Sequence, residues 1–300
     1  MSGRDVVVIG RTLAASSVVL LDLAPANQVP LSPWQPGAHI DVTVPIGERQ
    51  YSLMPSEPGR WRIGVLREPE GRGGSLWLHD SVAVGDTLHV TGPSNHFAFT
   101  PVAGTRYLFL AAGIGITPIC SMVLAADAAG VDFEFHYSGR TRQSMLPFEA
   151  HLHVSDEGTR VDLVSVLESF PDAEIYCCGP AHFIEAVEAA AGSHRLHVER
   201  FEAKQLAPPV WEGSFEIELE LSGETLTVPA EKSILEVVEA AGIFVLSSCR
   251  EGTCGTCETN VVDGEVDHRD SILTPGEQAL NATMYICVSR AACPRLVLEL

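Results

Sequence analysis

Ser248-Cys249-Arg250-Glu251-Gly252-Thr253-Cys254-Gly255-Thr256-Cys257 is answered, 30 positions after its last cysteine, by Cys287. Thiolates spaced C-x4-C-x2-C with a distant fourth form the plant-type ligand set for a 2Fe-2S cluster. A short loop can bring three sulfurs to two irons only if its backbone bends sharply and turns N–H groups inward. Gly252 and Gly255 supply the permissive dihedrals. Zinc knuckles pair their cysteines as CxxC or with histidines, and this spacing is not of that form. The loop predicts a cluster domain near the C-terminus.

Working outward, 300 residues with 46% hydrophobic content can bury more than one core, so two or three domains are expected. No apolar run approaches the ~18 residues of a membrane span. Met1-Ser2-Gly3-Arg4-Asp5 has none of the features of a signal peptide. Cys120, Cys177, Cys178 and Cys293 show no disulfide-framework spacing, and a thiolate-bound cluster suits a reducing compartment, so a cytoplasmic protein is expected. A net charge of −20 argues against nucleic acid as partner. From residue 210 onward there are 16 acids against 5 Lys or Arg, a net −11. That excess either steers a basic partner or simply solvates the surface.

The N-terminal part reads as β: Ser17–Leu23, Ala38–Val44, Trp61–Leu66 and Thr87–Val90 are short, rich in β-branched residues and separated by Gly/Pro turns. A small antiparallel barrel is the expected closure. Within it, Arg49-Gln50-Tyr51-Ser52-Leu53 places Arg49 and Tyr51 on one strand face and Ser52 on the other. Gly73-Gly74-Ser75, at the start of a helix-like stretch, is a candidate anion site, where free N–H groups converge. From Tyr107 the pattern becomes α/β. Tyr107–Ala112 is a continuous apolar run suited to a buried parallel strand, followed by Gly113-Ile114-Gly115-Ile116-Thr117-Pro118 and a helix. Glycines at a strand end let a pyrophosphate approach, and Pro118 suits a first helical turn. Further strands at Asp132–Tyr137 and Glu174–Cys178 should bring Gly113-Ile114-Gly115, Ser138-Gly139-Arg140 and Cys178-Gly179-Pro180 to one sheet edge. His197–Phe201 is read as the last strand. His39, His79, His136 and His197 lack metal spacing and read as packing or surface residues. After a Pro-containing linker, a hairpin at 215–228, a helix capped by Ser233 and strands at 258–262 and 296–300 complete an α+β unit.

In that order, Arg-x-Tyr-Ser, Gly-Gly-Ser, Gly-Ile-Gly-Ile-Thr-Pro, Cys-Gly-Pro, Glu-Arg-Phe and the cysteine set resemble the phthalate dioxygenase reductase family over nearly the whole chain. The resemblance implies a multi-domain fold: an FMN-binding antiparallel β-barrel at 1–102, an NAD-binding α/β parallel-sheet domain at 103–205, a linker at 206–213 and a β-grasp ferredoxin domain at 214–300. It implies that Arg49, Tyr51 and Ser52 hold the flavin and that Gly73, Gly74 and Ser75 bind its phosphate. Gly113, Gly115, Thr117 and Pro118 would form the pyridine-nucleotide turn, with Thr117 close to the flavin. Cys178, Gly179 and Pro180 would sit beside the nicotinamide, Phe201 on the flavin ring, and Glu199 near the hydride path. Cys249, Cys254, Cys257 and Cys287 would bind the iron. The nucleotide implied is NADH, while Arg140 and Arg142 keep NADPH open.

The order of centres implies the chemistry. NADH delivers two electrons together whereas a 2Fe-2S cluster takes one, so a flavin between them is required. A plant-type cluster near about −400 mV passes electrons downhill to Rieske centres at about −150 to +300 mV. The expected function is the monomeric reductase component of an oxygenase, with a terminal Rieske oxygenase that hydroxylates aromatic rings or removes O-methyl groups as partner. A haem-thiolate monooxygenase as acceptor is one alternative. A cluster-based redox sensor, with no flavin site, is another. A terminal oxygenase is not indicated, since no facial-triad spacing or haem-thiolate motif is present.

Overall fold

Alternation of inward and outward side chains organises the N-terminal strands. The computed structural model describes residues 3–204 and 208–300. Met1 and Ser2 of the N-terminal reading, and Leu206 and Ala207 at the start of the expected linker, lie outside them. Strands β1 (Arg4–Ala15), β2 (Val18–Pro25), β3 (His39–Val44), β4 (Gly47–Met54), β5 (Trp61–Leu66) and β6 (Thr87–Ser94) pair in the order β1-β2-β5-β4-β3-β6. β6 returns to pair with β1, which closes the barrel. Val19, Leu21 and Leu23 of β2, Ile40, Val42 and Val44 of β3, and Ile63 and Val65 of β5 share its core, as a period of two demands. Helix α1 (Gly74–Asp80) plugs one side through Leu78. β1 was not among the expected strands; exposed Ile9 and Leu13 blur its alternation.

β7 (Arg106–Ala112), α2 (Ile116–Ala129), β8 (Asp132–Gly139), β9 (His151–Val154), α3 (Leu163–Ser169), β10 (Glu174–Cys178), α4 (Ala181–Ala191) and β11 (Leu196–Glu199) follow. Their strands form one parallel sheet in the order β11-β10-β7-β8-β9. The apolar run in β7 is continuous because both faces are covered. Tyr107, Phe109 and Ala111 pack with Ile116, Ile119 and Met122 of α2. Leu108, Leu110 and Ala112 pack with Leu167 of α3 and with Ile184 and Val187 of α4. Each fully buried Leu, Ile, Val, Phe or Met among them contributes about 1.5–3 kcal/mol. Ala15, Val18 and Met54 of the barrel belong to the same apolar cluster as Tyr107 and Ile116. Barrel and sheet accordingly form one compact unit, which ends at Glu199.

Arg200–Leu300 is the second unit, so Arg200 and Phe201 fall there rather than in the last strand of the first. β12 (Phe215–Leu219) and β13 (Glu224–Val228) form the expected hairpin. α5 (Ile234–Ala240) starts at Ser233, whose hydroxyl accepts from Glu236 N at 3.1 Å while the Glu236 carboxylate accepts from Ser233 N. Such a cap contributes about 1 kcal/mol. β14 (Glu258–Asp263), β15 (Val266–Asp267), α6 (Pro275–Leu280), β16 (Thr283–Tyr285), β17 (Arg290–Ala291) and β18 (Arg295–Leu298) follow. The main sheet has the order β13-β12-β18-β14-β16. The described end of the linker, Pro208–Gly213, has no helix or strand, yet Trp211 packs against this unit's core. Among the described residues no helix is long and apolar enough to cross a membrane.

Candidate functional site

β4 and the turn into α1 meet through a glycine. β3 holds β4 in register, with Val42 opposite Arg49, Ile40 opposite Tyr51 and His39 opposite Ser52. A Cβ on Gly74 would lie 2.8 Å from Arg49 Cγ, so the missing side chain lets the arginine stem cross the start of α1. Gly73 precedes it at φ 92, a left-handed conformation that favours glycine. Ser75 Oγ accepts from Glu68 N at 3.1 Å, leaving its proton to donate. The seven-residue helix is short, so the cation of Arg49 and the open backbone, more than a helix dipole, make this turn receptive to an anion. Burial pushes the Tyr51 phenol up to about 12 against the pull of Arg49, so it remains a neutral donor.

The sheet brings the second set together. β7, β8, β10 and β11 end side by side, with Ala112 opposite Ser138 and Cys178 opposite Glu199. The two glycines after β7 have different tasks. Gly113 sits at φ 56 with open space on its Cβ side, as a turn that receives a ligand needs. A Cβ on Gly115 would lie 2.3 Å from Cys178 O and 2.6 Å from Gly179 N, so this glycine is required by the neighbouring turn. Pro118 lies in the first turn of α2. Thr117 is buried; its hydroxyl donates to Ile114 O at 2.9 Å and its methyl faces β5 at Gly64. Gly179 packs on Ala112 and Phe183, and Pro180 stands at the N-cap of α4.

Ser52 Oγ, Ser138 Oγ and Glu199 Oε2 are among the ten buried side-chain polar atoms without a hydrogen-bond partner among the described residues. Ser138 and Glu199 lie at the carboxyl ends of β8 and β11, and Ser52 stands beside the Glu199 carboxyl. Native interiors rarely leave such atoms unsatisfied, and their grouping fits a polar ligand at this edge. Burial raises the Glu199 carboxyl to about 8, opposed by Ser52. Cys178 is driven well above the usual thiol value by burial, then by Glu199 and Cys177, so it is a packed thiol and no nucleophile. Arg140 pairs with Asp156 at 3.7 Å, and Arg142 grips Glu157 with two bonds of 2.7 and 2.9 Å.

In the second unit the loop behaves as its glycines require. Gly252, at φ 70, would place a Cβ 2.5 Å from Val288 Cγ2, and Arg250 itself takes φ 59. Cys254 and Cys257 are 2% exposed and Cys287 8%, while Cys249 is half-buried. Glu251 N donates to Cys249 Sγ at 3.3 Å and Thr256 N to Cys254 Sγ at 3.5 Å, the expected inward N–H groups. Thiol neighbours set the protons. Cys254 and then Cys287 hold Cys249 below the usual range, and Cys287 lowers Cys257. Cys254 is raised first by Cys249, and Cys287 first by Cys249 and then Cys257. Among the described residues no three His, Cys, Asp or Glu side chains are arranged to hold a single ion. Cys249, Cys254, Cys257 and Cys287 would instead hold a 2Fe-2S cluster, which takes four cysteine thiolates; the contacts of Cys249 with Cys254 and of Cys257 with Cys287 fit that donor set. Iron would take the place of the shared protons.

Some contributors carried no sequence signal of their own. Asp270, buried, accepts from Ile272 N and Leu273 N, and Ser271 N donates to Gly252 O, bracing the cysteine loop from 19 residues beyond Gly252. His136 shares a 2.9 Å hydrogen bond with His153 and lies 3.1 Å from Glu134, and burial lowers its pKa. Phe201 is 43% exposed.

A family model described as a 2Fe-2S iron-sulfur cluster binding domain matches residues 217–292. The chain is 42% identical over 302 residues to the phenoxybenzoate dioxygenase subunit beta of Ectopseudomonas oleovorans, covering 95% of this chain and 94% of that one. The solved phthalate dioxygenase reductase, described as a modular structure for electron transfer from pyridine nucleotides to [2Fe-2S], is 33% identical. It superimposes with a TM-score of 0.67, covering 100% of this chain and 98% of that one. An intact type IV self-sufficient cytochrome P450 monooxygenase is 40% identical with a TM-score of 0.91; this chain spans 41% of its length.

Proposed function

The chain belongs to the phthalate dioxygenase reductase family, and from that premise we propose that it is the reductase component of a multicomponent oxygenase. It takes electrons from NADH and passes them through FMN and a 2Fe-2S cluster to a terminal Rieske oxygenase acting on an aromatic ring or an O-methyl group. The observation that carries this is the meeting of Cys249, Cys254 and Cys257 with Cys287 in a chain whose other unit keeps Ser138 Oγ and Glu199 Oε2 unsatisfied at the carboxyl ends of its parallel strands, with Ser52 of the barrel beside Glu199.

FMN, when bound, accepts two electrons from a nicotinamide and returns them singly, as a one-electron cluster requires. The protein's residues bind and orient. We assign residues 1–102 to FMN, 103–205 to the nucleotide, 206–213 to a linker and 214–300 to the cluster. Arg49, with the N–H groups of Gly73, Gly74 and Ser75, binds phosphate. Tyr51 presents a neutral phenol and Ser52 a hydroxyl to the flavin. Gly113 admits the nucleotide pyrophosphate at the start of α2, where Pro118 costs no hydrogen bond. Gly115 holds that turn against Cys178, Gly179 and Pro180, whose packing excludes water beside the nicotinamide. Glu199 holds a proton near neutrality and so places a donor, without a charge, near the hydride path. Thr117 acts through position, since its hydroxyl is spent on Ile114. The assignment of Phe201 to the flavin ring rests on the family alone. Engagement of Arg140 and Arg142 by Asp156 and Glu157 favours NADH over NADPH. We further propose a cytoplasmic monomer.

Anaerobic titration with NADH, followed in the visible and by electron spin resonance, tests the reading. Flavin bleaching with the rhombic signal of a reduced cluster supports it. A cluster signal without flavin, or no response to NADH or NADPH, overturns it and leaves a redox sensor. Likeness to 41% of the length of a self-sufficient cytochrome P450 monooxygenase favours a second reading, in which the acceptor is a haem-thiolate protein. Reduction of a Rieske but not a P450 acceptor decides between the two.

A further inference from the structure

Between the end of α5 and Cys249 runs Gly242-Ile243-Phe244-Val245-Leu246-Ser247-Ser248. Phe244 is 85% exposed and Leu246 51%, on a protein that buries most of its other phenylalanines. Together with Glu239 and Arg250 they line a groove of about 480 Å³. An aromatic side chain left in water forgoes the favourable free energy of burial, so its place on the surface beside Leu246 calls for an occupant. Two observations say which. The segment leads directly into Cys249, the one cluster cysteine that is not fully buried. Electron transfer weakens steeply with distance, so an acceptor must cover the surface at that edge. The surroundings are acidic: Glu231 and Glu236 are exposed beside α5, and 16 acids face 5 Lys or Arg after residue 210. Of those cations, Arg250 is paired with Glu239 and Arg295 with Glu218, while Arg290 is buried against backbone carbonyls.

We propose that the Gly242–Ser248 segment is the docking surface for the protein that accepts electrons from this chain, with Phe244 as its anchor and a basic rim on the partner matching the acidic surface. The proposal rests on the reductase reading. An apolar anchor inside a charged rim gives orientation from the charges and retention from the aromatic ring. Each NADH supplies two electrons, so two one-electron acceptors dock in succession and must also leave. A small anchor suits that turnover better than a large interface.

The test uses the holoenzyme with NADH and two acceptors, ferricyanide as a small ion and cytochrome c as a basic haem protein taking one electron. Phe244→Ser is expected to raise the KM for cytochrome c about five- to tenfold. Leu246→Ser should raise it less. Both should keep the wild-type ferricyanide rate and visible spectrum, and the KM should rise with added salt. An unchanged KM for cytochrome c in both variants overturns the proposal. A wild-type dimer that Phe244→Ser dissociates, with KM unchanged, assigns the surface to a second copy and overturns it too. Failure of the wild type to reduce either acceptor overturns the reductase reading instead.

Discussion

Gly115→Ala adds a single methyl at the point where two turns touch. Its carbon would lie 2.3 Å from Cys178 O, 2.4 Å from Cys178 C and 2.6 Å from Gly179 N. All three are backbone atoms, so no side chain can rotate away. Restoring ordinary contact requires the Gly113–Gly115 turn and the Cys178–Gly179 peptide to part by about 1 Å. Overpacking of that kind costs about 1–3 kcal/mol. For a unit of this size the loss corresponds to a Tm lower by about 3–10 °C. The larger effect should fall on turnover, because a misplacement of about 1 Å in a reacting geometry costs about 10²-fold in rate. Gly113→Ala is the internal comparison: it meets nothing within 4 Å and loses only the cost of a left-handed backbone, about 1–2 kcal/mol. The assay is NADH-driven ferricyanide reduction beside a thermal melt, with cluster absorption as the control for the second unit. Wild-type kinetics and melting in Gly115→Ala would refute the claim that the two turns are in contact.

Cys254→Ser should lose the visible absorption of the cluster and cytochrome c reduction, yet keep NADH-driven ferricyanide reduction; loss of both would contradict the separate placement of the two functions. Glu199 is raised to about 8 by burial, so its contribution to stability is full below the ordinary carboxylate range and is lost as pH rises toward about 8. Melting of Glu199→Gln between pH 5 and pH 8, as an order-of-magnitude window for that linkage, should therefore fall less than that of the wild type, and parallel curves would dismiss the buried acid. The double variant Asp156→Asn, Glu157→Gln should lower the KM for NADPH several-fold by releasing Arg140 and Arg142, with NADH little changed; an unaltered preference in steady-state kinetics would place the discrimination elsewhere.

Legibility followed the range of the interaction. α5 could be placed to within a residue because its cap, Ser233 with Glu236, and its apolar period are local. α6 carries the same signal in Thr274-Pro275-Gly276-Glu277, a capping box with proline in the first turn, and could have been found the same way. β1 was harder to place, because exposed Ile9 and Leu13 blur its alternation, and its pairing with β2 and β6 is set over long range. The division of the chain was also partly hidden. Barrel and parallel sheet look distinct in pattern, yet Met54 and Val18 share a core with Tyr107 and Ile116.

The amino-acid sequence by itself determined the cysteine spacing and the turn glycines, because each depends on a few neighbouring residues and on backbone dihedrals. Only the tertiary structure decided that Gly115 serves the Cys178–Gly179 turn, that Asp156 and Glu157 engage Arg140 and Arg142, and that Ser52 stands beside Glu199. Ser52 and Glu199 are 147 positions apart, and nothing in the residues between them encodes the distance. Their meeting is set by strand register and by the core that seats the barrel on the sheet, which are properties of the whole unit.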